Sequence, residues 1–135
     1  MKRIVVAEHE PFLGRMLRLA LVRSGYRVKT VTTGAEALEL IEAQEPDALV
    51  AATDLPGTGG MELCRRMRAM YPHRENPTIL MSERSNAGEK SDAQKLGRVL
   101  ILDKPVSVRN LLNKLDSFFA GDSMVDTLVG EDRIR

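Results

Sequence analysis

Residues 45–62 read EPDALVAATDLPGTGGME, and the fold is decided by how this stretch is read. A short apolar segment, Ala48 to Ala52, leads into an acid at Asp54 and then a turn built from Pro56, Gly57, Gly59 and Gly60. A strand end therefore meets a loop. In chains that alternate strands and helices, loops at the carboxyl ends of parallel strands form the crevice where ligands bind.

Working outward, the same alternation repeats on both sides. Ile4 to Ala7 is a continuous apolar run rich in β-branched residues, the pattern of a buried strand. Glu8, His9 and Glu10 stand at its end. From Pro11 the period becomes helical, with Phe12, Leu13, Met16, Leu17, Ala20 and Leu21 forming the expected buried stripe and Gly25 the C-terminal cap. Residues 27–31 read as a second strand. Thr33 then caps a helix, with Glu36 three residues on completing a capping box, and Ala37, Leu38 and Ile41 facing inward.

Beyond residues 45–62, Met61, Leu63, Cys64, Met67 and Met70 mark a third helix, stopped at Tyr71 and Pro72. The methionines read as core packing, because thioethers fill irregular gaps. Residues 78–81 form a fourth strand ending at Ser82. Residues 83–97 have few apolar anchors (Ala87, Ala93, Leu96), which predicts a short or frayed helix. Val99 to Leu102 is a fifth strand, followed by Asp103, Lys104 and Pro105. Val108, Leu111, Leu112, Leu115, Phe118 and Phe119 then give a strongly amphipathic last helix, with Ser107 as its cap.

Five strands alternating with five helices require right-handed crossovers, hence a parallel sheet in a three-layer α/β sandwich. The chain of 135 residues has room for one such domain, over residues 1–120. Residues 121–135, ending DSMVDTLVGEDRIR, have too few apolar anchors for a second one and read as a tail, a docking segment or a linker remnant. A net charge of +1 points to neither nucleic acid nor an anionic membrane. No apolar stretch approaches the length of a membrane span, so a cytoplasmic location is expected. The single cysteine, Cys64, excludes an internal disulfide and sits in a pattern that suits a buried thiol.

The strand ends bring Glu8 to Glu10, Thr53, Asp54, Ser82 and Lys104 to one edge of the sheet. Clustered carboxylates there favour a hard cation such as Mg²⁺, and a lysine beside a hydroxyl suits a phosphoryl oxygen. The alternative is that charged residues collect at strand ends because loops are wet.

At these residues the sequence resembles the receiver domain of two-component response regulators. The likeness covers roughly residues 3 to 119. IVVAEHEP is similar to the family's first strand and acidic pair, placing Glu8 and His9 at the two acid positions. PDALVAATDLPGTGGMEL is similar to its third strand and Pro-Gly loop, ILMS supplies the hydroxyl at Ser82, and ILDKP supplies Lys104 and Pro105. The resemblance implies a flavodoxin-like receiver fold with a five-stranded parallel sheet, and a cis peptide before Pro105.

It also exposes departures. In the family an aspartate four residues before the loop proline takes the phosphoryl group, and that position here is Ala52. A methyl group has no lone pair to attack phosphorus. His9 stands where the family has a directly metal-binding carboxylate, and imidazole is a poor Mg²⁺ ligand. Ile101 stands at the usual aromatic switch position. Glu8 and Asp54 remain as metal-ligand candidates, so no cofactor, or a weakened Mg²⁺ site, is expected. With its usual partner gone, Lys104 is expected to pair with Glu8 or Asp54.

The resulting expectation is a pseudo-receiver in phosphorelay signalling, a protein interaction module rather than an enzyme. Its partners would be signalling proteins, a histidine kinase or a downstream target, with a homodimer as a further assembly. Arg65, Arg66 and Arg68 on the third helix are candidates to attract an acidic partner. The alternative is a functional phosphoacceptor using Asp54 or another acid with Mg²⁺, although Asp54 is displaced about 6 to 7 Å along an extended strand from Ala52. A third reading, a small-ligand module, lacks support because HEPFLG stands where a dinucleotide fingerprint would follow the first strand.

Overall fold

A computed structural model describes residues 1–72 and 76–121. Five strands, β1 (Arg3–Ala7), β2 (Arg27–Val31), β3 (Ala48–Ala52), β4 (Thr78–Ser82) and β5 (Val99–Asp103), alternate with five helices. These are α1 (Pro11–Arg23), α2 (Gly34–Ala43), α3 (Gly60–Met70), α4 (Ala87–Leu96) and α5 (Val108–Phe119). The strands form one parallel sheet in the order β2-β1-β3-β4-β5, the expected α/β sandwich. Strand order reverses between β1 and β3, so the connections that leave their paired carboxyl ends run to opposite sides of the sheet and open the crevice that this topology creates.

Side chains of the central strands alternate between two cores. Ile4, Val6, Ala48, Val50, Ile79 and Met81 pack with Leu17 and Leu21 of α1 and Leu111, Leu115 and Phe118 of α5. Val5, Ala7, Leu49, Ala51 and Leu80 face the other way, onto α2, α3 and α4. Strands buried on both faces cannot alternate apolar with polar residues, and β1, β3 and β4 do not. Cys64 lies in the second core with no exposed surface, its thiol against the Thr78 hydroxyl at 3.3 Å. Burial pushes that thiol's pKa up, as befits an inert packing residue.

The expected helix starts are present. Thr33 accepts a hydrogen bond from the Glu36 amide, and the Glu36 carboxylate accepts from the Thr32 amide and the Thr33 hydroxyl. Ser107 accepts from the Asn110 amide. One expectation is met in one of its two forms and one needs correction. Of the short or frayed helix expected within residues 83–97, the short alternative is the one found, ten residues over 87–96, started by Asn86 accepting from the Glu89 amide and with Ala93 as its single buried residue. Phe12 and Met16 do not join the buried stripe of α1 but stand 69% and 41% exposed. At about 100° per residue, the arc from Phe12 to Leu17 is too wide for the sheet and α5 to cover.

The third-helix arginines are also spent within the molecule. Arg65 pairs with Glu62 and Asp92, Arg66 with Glu62, and Arg68 donates to the carbonyls of Leu96, Asn76 and Arg98. The strand-to-helix loop after β3 is held by close backbone approach. The Gly34 amide donates to the Pro56 carbonyl at 3.1 Å, and a β-carbon on Gly34 would strike the Thr58 backbone. A β-carbon on Gly60 would lie 2.6 Å from the Ala52 carbonyl oxygen.

Gly60→Ala is therefore expected to cost about 1–3 kcal/mol by overpacking. Gly14→Ala, whose β-carbon would meet nothing within 4 Å in α1, is expected to stabilise by about 0.5–1 kcal/mol. Urea unfolding of the two variants tests this contrast, and equal effects would refute the close-approach account.

Candidate functional site

Because the strands are parallel, β1, β3, β4 and β5 deliver their last residues to one edge. Glu8 follows β1, with its amide bonded to the Val31 carbonyl at 3.0 Å. Ala52 closes β3, and the ladder runs one residue further through the Thr53 amide to the Met81 carbonyl. Ser82 closes β4, and its carbonyl accepts from the Lys104 amide at 2.7 Å. The Lys104–Pro105 peptide is cis.

At the centre is an ion pair between the two ends of the fold. The Glu8 side chain has no exposed surface and that of Lys104 is 6% exposed. The ammonium lies 3.1 Å from Glu8 Oε1 and donates a hydrogen bond to Oε2 at 3.2 Å. Oε2 also accepts from the Glu10 amide at 2.9 Å, which curls the chain after β1 around the carboxylate. Glu10 Oε1 lies 3.4 Å from the same ammonium and Glu83 lies at 4.0 Å. Burial works against the charged lysine, but the hydrogen bond and charge of Glu8, with the charge of Glu10, outweigh it and raise the Lys104 pKa.

The remaining candidates fall into separate contacts. His9 Nε2 is 3.4 Å from Asp54 Oδ1 and 3.9 Å from Glu8 Oε2, and is buried without a hydrogen-bond partner. Asp54 thus faces His9, not Lys104, since its side chain leaves the strand beyond the site and points to the first loop. Ser82, 3% exposed, donates to Glu89 of α4 at 3.3 Å. Ala52 is fully buried, so the edge carries a methyl group between Glu8 and Ser82. Ile101 is half-buried and packs against the α2–α4 core.

A model of the response regulator receiver domain family matches residues 4–116. The chain belongs to this receiver family. Similar folds include a CheY-like receiver domain protein from Methanospirillum hungatei JF-1, 23% identical, with a TM-score of 0.80 over 87% of this chain and 93% of that one. A putative response regulator from Chloroflexus aurantiacus J-10-fl is 27% identical, with a TM-score of 0.77 over 88% and 98% of the two chains. A two-component response regulator from Clostridium difficile reaches 0.80 at 18% identity, covering 90% and 98%. Receivers are signalling modules of two-component systems, and among the described residues of this one no helix is long and apolar enough to cross a membrane.

Glu8 is spent on Lys104, Asp54 faces an imidazole, and Ala52 offers no oxygen from its side chain. Among the described residues no group of three or more His, Cys, Asp or Glu is arranged to hold a metal ion. Sequence reading placed Lys104 with Glu8 or Asp54; the structure selects Glu8 and adds Glu10 and Glu83, which were not singled out as its partners. Glu89 was missed as well. Its signal was the Asn86-x-x-Glu89 spacing of a helix start, where a carboxylate is expected to turn back towards its own cap rather than to a strand end.

Removing one member of a buried pair strands the other charge. Glu8→Ala is expected to cost about 3 kcal/mol, the low end for such pairs because Lys104 keeps Glu10 and Glu83 at the wet rim, and Lys104→Ala about 3–5 kcal/mol because it strands the buried Glu8 carboxylate. The double variant should cost clearly less than the sum, and strict additivity in a double-mutant cycle would refute the coupling. Two raised pKa values bear on stability at alkaline pH. Lys104 is raised by Glu8, and Tyr26 is raised by burial and by its bond to Asp116. Each folded pKa lies above its unfolded value, near 10.5 for Lys104 and 10.0 for Tyr26. Their stabilisation is whole below those values and is lost as pH climbs through the folded ones. Urea unfolding across alkaline pH should show stability falling from about pH 10, with a shallower fall in Lys104→Met and in Tyr26→Phe. A fall unchanged in both variants would count against these two groups.

Proposed function

We propose that this receiver works in phosphorelay signalling as a phosphorylation-independent protein interaction module, with no phosphoryl transfer of its own. The observation that carries this reading is the pairing of Ala52, a methyl group at the end of β3, with the commitment of Lys104 to Glu8 and Glu10. Phosphoryl transfer to a receiver needs a nucleophile with a free lone pair and a cation to meet the transferred oxygens. Here neither is on offer at the strand end. Ser82, the hydroxyl that would meet a phosphoryl oxygen, is bonded to Glu89, so its place is already filled by a carboxylate.

Asp54 is a poor substitute acceptor. It is half exposed and faces His9, away from Lys104 and Ser82. Mg²⁺ has no role in this reading, and no catalytic turnover is assigned. The module's partners are signalling proteins, a histidine kinase or a downstream target, recognised through surface shape rather than through a phosphorylation-driven change. A pre-set lysine contact and a capped α4 support a single resting conformation for a partner to select.

Incubation of the full chain with a small-molecule phosphodonor and Mg²⁺ should leave its intact mass unchanged. An acid-labile gain of one phosphoryl group would refute the proposal, and loss of that gain in Asp54→Asn would move the reaction to Asp54.

A further inference from the structure

A cavity opens at the end of the sheet opposite Glu8 and Lys104, beside the first residues of β1 and β2. Its origin lies in the layering. β2 is the edge strand, and α2 packs over its neighbour β1. The start of β2 is therefore uncovered on that side, with Arg27 and Lys29 exposed, and a cleft of about 310 Å³ remains between α2 and the strand. Small-molecule pockets occupy roughly 300–1,000 Å³, a range that includes this one.

The register fixes which side chains meet there. Alternate residues of a strand share a face, Val5 packs into the core beneath α2, and Arg3 pairs with Arg27 as Val5 pairs with Lys29. Arg3, Arg27 and Lys29 thus stand on one face of two strands that run about 5 Å apart. Three like charges so placed repel one another. No acid lines the cleft, and none of the three side chains has an ion pair or hydrogen bond among the described residues. The Asp47 carboxylate is turned to the Arg3 backbone amide at 2.7 Å. Below the cations the walls are apolar, formed by half-buried Leu40 and by Ala43 of α2 and by buried Pro46. Guanidinium forks and an ammonium hold a carboxylate or phosphate through charge-assisted hydrogen bonds, and apolar walls take the body attached to it.

We propose that this cleft binds a small organic anion. Its apolar body lies on Leu40, Ala43 and Pro46, and its terminal carboxylate or phosphate is held by Arg3, Arg27 and Lys29. Occupation relieves the repulsion among the three cations and bridges β2 to α2. The site goes beyond the phosphorylation-independent reading and does not rest on it.

Titration of the full, isotope-labelled chain with β-naphthoate, β-naphthyl phosphate and uncharged β-naphthamide tests this. Backbone signals of residues 27–29 and 40–44 should shift saturably at millimolar anion, and at least one anion should bind about tenfold tighter than the naphthamide. The tighter anion identifies the head group. Arg27→Gln and Lys29→Gln should each weaken that anion by about threefold to tenfold. Arg18→Gln, which removes the same charge from α1 on the other face of the sheet, should leave its affinity unchanged. Ala43→Phe, at an exposed position where the added ring fills the cleft, should abolish binding. Without ligand, Arg27→Gln and Lys29→Gln should unfold at no lower temperature than the parent chain, since each removes a repulsion. Shifts confined to α1 and α5, absence of saturation, naphthamide binding as tightly as both anions, or equal losses in Arg18→Gln and Arg27→Gln would each overturn the proposal. So would retained binding in Ala43→Phe, or lower melting temperatures in the two glutamine variants, which would make the cations structural.

Discussion

A carboxylate with no exposed surface at the end of the first strand has to find a cation, and Glu8 finds Lys104, which follows the last strand. Leaving such a charge unpaired costs several kcal/mol, so this constraint reaches across the whole sheet. It sets how β1 and β5 finish on either side of β3 and β4, and it draws the loop after β1 into place through the Glu10 amide. It also determines what Lys104 is free to do. An ammonium held by two carboxylates is a structural strut, and its raised pKa records the same fact in another form.

The neighbouring strand, β3, ends on a methyl group, that of Ala52. Ala52 is buried, Gly60 brings the start of α3 against its carbonyl, and Gly34 brings α2 against the loop that follows. These contacts depend on small size, not on charge. The packing that makes the fold is therefore indifferent to whether β3 ends in an acid, and the fold alone says little about chemistry.

Charge is distributed unevenly between the two helical layers. On α3 the arginines are consumed by Glu62, Asp92 and nearby carbonyls, which ties α3 to α4 and to the start of β4. On α1 the arginines stand beside the exposed apolar side chains of Phe12, Met16, Leu19 and Val22. Surface ion pairs contribute little to stability, so the α3 network is better understood as filling that surface than as strengthening it.

The architecture was legible in the sequence because buried parallel strands and amphipathic helices impose different periods. Continuous apolar runs at Ile4–Ala7 and Ala48–Ala52, the Thr33–Glu36 box and the Ser107 cap are local facts, and local physics is enough to place them. The expectation that Ala52 stands at the family's acid position also came from the sequence alone, since counting residues back from Pro56 needs no coordinates. Tertiary structure decided what the charged residues touch. Lys104 selecting Glu8 over Asp54, Asp54 turning to His9, Glu89 reaching Ser82 and Phe12 facing outward all depend on directions in space between segments distant in the chain. Periodicity reports which side of its own element a residue occupies, but only packing reports what stands opposite.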